Sequence, residues 1–397
     1  MEHMPINIKT VIVFGDSLSD IGKKWVTKSG MAARCAKQMY VSPTGRFSDC
    51  RNWTDFMYEQ ASGKSLIVES ADETYVGSKK HMTLTSNSIV DDERGGFGYA
   101  NYAEGGACGD EPREKAPFLG TFKDQVDQFA QDLTGAGDLG NTLFIIWFGA
   151  NDLYTANRPA PEMAQVAEEV GNTQRRRLLD LVRSKGPMHK FIFVNLARPL
   201  TSVRYTLRVE RAERDVKTAV RSQLPSSVRS AFGEYNPDTQ QGGYEPIGGW
   251  GEAARDHDLA QRELKALQAQ EQEIRNLELG VITFNAALAK IAKANGDQVV
   301  DIGGCLTEAN ILALLKSNAS LKAGAATKRA EHLSAKAYGK RAMSVHITTI
   351  DEVHPNDYMY RLIWEEIYEG IENSNCTFGS LKNKIRAPIL STLSGPQ

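Results

Sequence analysis

The chain, 397 residues long, reads as an α/β protein built on a central parallel sheet with helices on both faces. Three observations carry that expectation. Residues 11–14, 143–148 and 191–194 are continuous apolar runs, the pattern of strands covered on both sides rather than on one. Between them lie segments with apolar residues at three- and four-residue steps, so that strands and helices alternate. Finally, Gly15-Asp16-Ser17, Gly105-Gly106 and Gly149-Ala150-Asn151-Asp152 all fall at expected strand ends, the edge where sheets of this kind hold ligands.

The first strand covers Thr10, Val11, Ile12, Val13 and Phe14 and stops at Gly15. Asp16 and Ser17 follow at the turn, and Leu18-Ser19-Asp20 is expected to open a helix. That arrangement puts the Ser17 hydroxyl at the lip of the sheet and its N–H beside a helix N-terminus, where a nucleophile gains from oriented donors. Taken alone, Asp16-Ser17 fits a helix cap with no chemistry. Residues 21–39 are mixed helix and loop, and residues 42–49 form a turn cluster. Trp53, Phe56 and Met57 have helical spacing. Residues 63–98 are polar and read as a surface excursion, after which residues 99–107 form a short strand closed by Gly105-Gly106.

Phe122, Val126 and Phe129 mark a helix over residues 121–133, and residues 142–148 the next buried strand. Met163, Val166, Val170, Leu178 and Leu181 support helix up to Ser184, interrupted near Gly171, and residues 191–196 form another strand. Regularity is then lost. Arg204, Arg208, Arg211, Arg214, Lys217 and Arg221 make a basic stripe, but Glu210, Glu213 and Asp215 interleave with it. An ordinary solvated helix is therefore preferred there over docking on an anionic membrane. A loop rich in Pro, Gly and Tyr leads to a long charged helix over residues 253–279. Ile282, Phe284, Leu288 and Ile291 continue on a core-facing helix, residues 299–302 close as a strand, and Tyr358, Leu362, Ile363 and Ile367 mark a last helix. The expected organisation is a domain made of residues 1–200 and 280–372, a helical and loop insertion at 201–279, and a polar tail at 373–397.

Composition excludes several classes. A formal net charge of −2 offers no field for nucleic acid. The five cysteines are scattered, with no CxxC pair and no Cys/His cluster, so no disulfide framework or zinc ligand set is expected; a local Cys35–Cys50 bridge stays open. The opening residues leave no room for a secretory signal, and the most apolar run is too short to span a bilayer, so a soluble protein is expected. Its compartment stays open between the cytoplasm and export by a route without a signal peptide.

Ser17, Asp351 and His354 are the three kinds of group that a serine hydrolase combines: nucleophile, orienting acid and proton shuttle. The N–H groups of Ser17 and Gly106 and the amide of Asn151 are candidate donors to an oxyanion. Four blocks in this order resemble the GDSL or SGNH hydrolase superfamily: residues 15–20, 101–107, 149–152 and 351–355. Gly45-Arg46-Phe47-Ser48 with Trp53, Asn195-Leu196, and Phe284-Asn285-Ala286-Ala287-Leu288 are similar to its lipase/acylhydrolase branch. The resemblance spans about residues 9–200 and 280–366. It implies a flavodoxin-like three-layer α/β/α sandwich with a large, mainly helical insertion, and esterase, lipase or acyltransferase chemistry without a metal or other cofactor. It also implies the catalytic set Ser17, Asp351 and His354 and the oxyanion set Ser17, Gly106 and Asn151, with Gly105 as the alternative to Gly106. Lipid esters such as phospholipids are the expected substrates, short-chain or carbohydrate esters the alternative. A partner-binding role for residues 201–279 is the reading from a different class.

Overall fold

The computed structural model describes the chain outside residues 1–4, 36–40, 43, 49, 70–75, 79, 81, 85–88, 91–96, 112–118, 199–249, 306–353 and 379–397. The chain divides into two compact units, Met1–Val203 with Leu277–Gln397, and Arg204–Asn276. The basic stripe at 204–221 and the loop after it lie outside the described residues. So does Asp351.

The first unit is an α/β sandwich. Among the described residues its sheet has six strands: β1 (Thr10–Gly15), β2 (Ile89–Val90), β3 (Phe97–Asn101), β4 (Thr142–Trp147), β5 (His189–Val194) and β6 (Gln298–Val300). Their spatial order is β2-β3-β1-β4-β5-β6, with β2 antiparallel to β3 and all other pairs parallel. Without the short edge strand β2 this is the 2-1-3-4-5 order of flavodoxin-like sheets. Every residue of β1, β3 and β4 is buried, which is why the runs at 11–14 and 143–147 are apolar without alternation.

Alternate side chains feed two cores. On one face Val11, Val13, Leu143, Ile145, Trp147, Ile192 and Val194 pack with Trp53 and Met57 of α1 (Trp53–Ser62) and with Ile363, Trp364 and Ile367 of the last helix (Asp357–Asn373). On the other, Phe14 stacks on Tyr102 and meets Phe122 and Phe129 of α2 (Phe122–Leu133), and Phe144 stacks on Phe191. A buried aromatic ring of this kind contributes roughly 1.5–3 kcal/mol by removal from water. Capping boxes start both α1, from Asn52, and α2, from Thr121, each closed by an Asp at the third helical position.

Several expectations change in detail. Residues 63–98 are not only a surface excursion: Ile67–Glu69 pairs with Val76–Ser78, and β2 joins the main sheet. The tail expected from residue 373 begins inside the fold, where Cys376–Thr377 pairs in parallel with Ile6–Asn7 and Phe378 is buried against Phe97 and Trp364. Two residues were too few to show a strand period. The interruption near Gly171 is a π-helical turn, Glu169–Gln174, in which Gly171 lets Leu288 and Ile291 approach the backbone. Cys35, Cys50, Cys108 and Cys376 carry no disulfide, so the Cys35–Cys50 bridge is not formed. Residues 250–295 form one helix (Trp250–Asn295), and among the described residues no helix is long and apolar enough to cross a membrane.

Candidate active site

The site lies past the carboxyl ends of β1, β3 and β4. The strand order reverses between β1 and β4, so the connections leave the sheet in opposite directions and open a crevice there. Ser17 follows β1 by two residues, Gly106 follows β3 by five, and Asn151 follows β4 by four.

Residues 16–19 form a turn, closed by the Ser19 N–H donating to the Asp16 carbonyl at 3.1 Å, rather than the expected helix start. The reason is Asp20. Its carboxylate accepts from the N–H groups of Gly22 (2.6 Å), Lys23 (2.7 Å) and Lys24 (3.1 Å), which starts the helix Lys23–Val26 after the turn. The same carboxylate accepts from the Gly105 N–H at 2.8 Å, tying the Ser17 turn to the Gly105-Gly106 loop. Burial pushes the Asp20 carboxyl up, against the pull of these four donors. Behind the turn, Gln125 of α2 donates to the Gly15 carbonyl at 2.7 Å and accepts from the Gly15 N–H at 3.1 Å, pinning the end of β1.

The Ser17 hydroxyl lies 2.8 Å from His354 Nε2. With the imidazole proton on Nδ1, Nε2 accepts from the hydroxyl and can take its proton. Asn356 caps the last helix through the Met359 N–H at 3.0 Å, which fixes the chain just after His354-Pro355. Asp351, the expected orienting acid, lies outside the described residues.

Oxyanion donors need N–H groups not spent on the protein. Gly105 is spent on Asp20, whereas the N–H groups of Ser17 and Gly106 have no partner among the described residues. Gly106 has φ +86°, a left-handed backbone that glycine adopts without strain, and a Cβ there would lie 3.1 Å from Leu119. Geometry therefore favours Gly106 over Gly105. Gly149 has φ 115° and introduces the short helix Ala150–Tyr154, which carries Asn151. The Asn151 amide is oriented by donation to the Ala107 carbonyl at 3.1 Å and by acceptance from Thr155 at 3.0 Å, leaving its second N–H.

Two carboxyl groups sit beneath these donors. Asp16 accepts from the Leu18 N–H at 3.0 Å through Oδ1, while its buried Oδ2 has no partner among the described residues. Burial raises its pKa from an ordinary 3.8 to about 7, opposed by that hydrogen bond and by His354. Asp152 is raised to about 6, again by burial, despite N–H donors from Gly109 at 2.7 Å and Asp110 at 3.1 Å. A raised carboxyl binds its proton more tightly in the folded chain. Its contribution is therefore favourable at low pH and is lost as pH rises from about 4 through 7. In Asp16→Asn, stability relative to the wild type should move in the variant's favour between pH 5 and pH 8, by about 2.5 kcal/mol, read as a shift in the difference in Tm. A difference that stays constant over that range would contradict the assignment.

Asp20 and Gln125 are the positioning residues that sequence reasoning did not assign. Gln125 had a signal: a polar residue three positions after Phe122 on an otherwise apolar helical face. Asp20 reads from the sequence only as part of a helix start, because its tie to the oxyanion loop comes from Gly105, 85 positions away in sequence.

The model of the family described as GDSL-like lipase/acylhydrolase matches residues 11–367, nearly the whole chain. No curated protein matches the chain in sequence. Among solved structures, Est24, a carbohydrate acetylesterase from Sinorhizobium meliloti, is similar at 12% identity and a TM-score of 0.35, over 75% of this chain and 85% of that one.

Proposed function

Because the chain belongs to the GDSL-like lipase/acylhydrolase family and is thereby an ester hydrolase, we propose that it works through an acyl-enzyme on Ser17 and acts on lipid esters. The observation that carries the mechanism is the 2.8 Å contact between Ser17 Oγ and His354 Nε2 beside two unspent N–H donors. In this reading His354 takes the hydroxyl proton as Ser17 attacks the ester carbonyl. The oxyanion forms against the N–H groups of Ser17 and Gly106 and the amide of Asn151. His354 then returns the proton to the departing alcohol. Water, or a second alcohol in acyl transfer, enters along the same path and releases Ser17. Asp351 is proposed to hold and stabilise the imidazole.

The lipid preference is supported by the blocks around Arg46-Phe47, Asn195-Leu196 and Phe284-Leu288, which are similar to those of the lipase/acylhydrolase branch. Hydrolysis rates over p-nitrophenyl esters of increasing chain length test it, paired with lipid analysis of a membrane extract incubated with wild-type or Ser17→Ala protein. The expected result is a rate that rises beyond acetyl, with lysolipid and free fatty acid formed by the wild type alone. Acylated acceptor in place of free acid would identify transfer. A sharp optimum at acetyl with the extract unchanged would overturn the lipid assignment.

A further inference from the structure

We infer that Phe47 is a positioning residue for His354, holding the imidazole at Ser17 and favouring its protonated form through the face of the ring. This rests on the proposed roles of Ser17 and His354.

The Phe47 ring centroid lies 5.0 Å from that of His354, with the planes inclined by 39°. This is within the distance at which an aromatic face attracts a cation, and the imidazole becomes a cation each time it takes the Ser17 proton. Phe47 also meets the oxyanion loop: a Cβ built on Gly105 would lie 2.4 Å from Phe47 Cε2 and Cζ. The ring therefore touches both the proposed base and the loop that carries Gly106. Gly105 has to be glycine because the phenyl ring occupies the place of its side chain.

Phe47 is itself held. Its carbonyl accepts from the Tyr360 hydroxyl at 3.2 Å, linking it to the helix that follows His354. The preceding residue, Arg46, is fully buried and grips Asp55 through Nε at 3.0 Å and a terminal nitrogen at 2.6 Å. Its other terminal nitrogen donates to the carbonyls of Ile21 and Thr44, both at 2.7 Å. These contacts pair the Arg46 charge with Asp55. Gly45, at φ +85°, lies in the turn just before Arg46 and Phe47, its N–H donating to the Ser42 carbonyl at 2.8 Å. Other charged groups act on His354 as well: Asp16 lies close enough to interact with it electrostatically, and Asp20 sits behind Gly105. The test must therefore alter the ring without touching them.

Incorporating a trifluorinated phenylalanine at position 47 keeps the shape and drains charge from the face; Phe47→Leu removes the face. The His354 titration, followed by NMR of the imidazole Cε1–H in the resting protein, should move down by about half a unit in the fluorinated protein. Its kcat on p-nitrophenyl butyrate should fall about threefold to tenfold with KM within about twofold, and Phe47→Leu should lose more kcat. A titration midpoint unmoved in both proteins would overturn the inference, whatever the rates. The NMR readout needs no turnover. If Ser17→Ala hydrolysed esters as fast as the wild type, the proposed mechanism would fail while the Phe47–His354 coupling was still measured on its own.

Discussion

Ser17→Ala is expected to lower kcat on a generic p-nitrophenyl ester by about 10⁴ to 10⁶-fold, with Tm within about two degrees of the wild type. The size follows from the step removed: without Oγ there is no acyl-enzyme, and only oriented donors and binding remain. Folding should survive because Ser17 Oγ makes its described contact with His354 alone, while the turn itself is held by Asp20 and Gln125. His354→Ala should fall into the same range, since the hydroxyl is a poor nucleophile without a base. The double variant should be no worse than either single one, because the two groups act as a unit. Additive losses would mean that Ser17 and His354 serve separate steps.

The second large effect belongs to Asn151. Asn151→Ala should reduce kcat by about 10²- to 10³-fold with KM little changed, the pattern of a donor that binds the oxyanion more strongly than the ground-state carbonyl. The amide is held on both sides, by Ala107 and by Thr155, so it meets the developing charge without reorganising. Thr155→Val probes that bracing with the amide intact and should cost far less. A loss in Asn151→Ala confined to KM would place the residue in ground-state binding instead.

Much of this arrangement is legible in the sequence because buried parallel strands leave a plain signature. Residues 11–14, 143–148 and 191–194 must be apolar on both faces, and the glycines at 15 and 149 end two of them. Ser17, Gly106 and Asn151 then fall at neighbouring strand ends on the sequence pattern alone. What escaped is what depends on contacts distant in sequence or on very short elements. The helix expected at residue 18 is displaced because Asp20 gathers N–H groups from the residues after it and from Gly105. The strand at Ile89–Val90 and the pairing of Cys376–Thr377 each involve two residues, too few for a period. Phe47 reads as one more aromatic in a turn until His354 is brought beside it from 307 positions along the chain.

The central claim is that Ser17 is a nucleophile activated by His354. Reaction with a fluorophosphonate, followed by intact mass and peptide mapping, tests it without any assumption about substrate. One adduct per chain is expected, on the peptide that contains Ser17, absent from Ser17→Ala and at least about a hundredfold slower in His354→Ala. Labelling that persists in Ser17→Ala, or maps to another residue of the wild type, would contradict it.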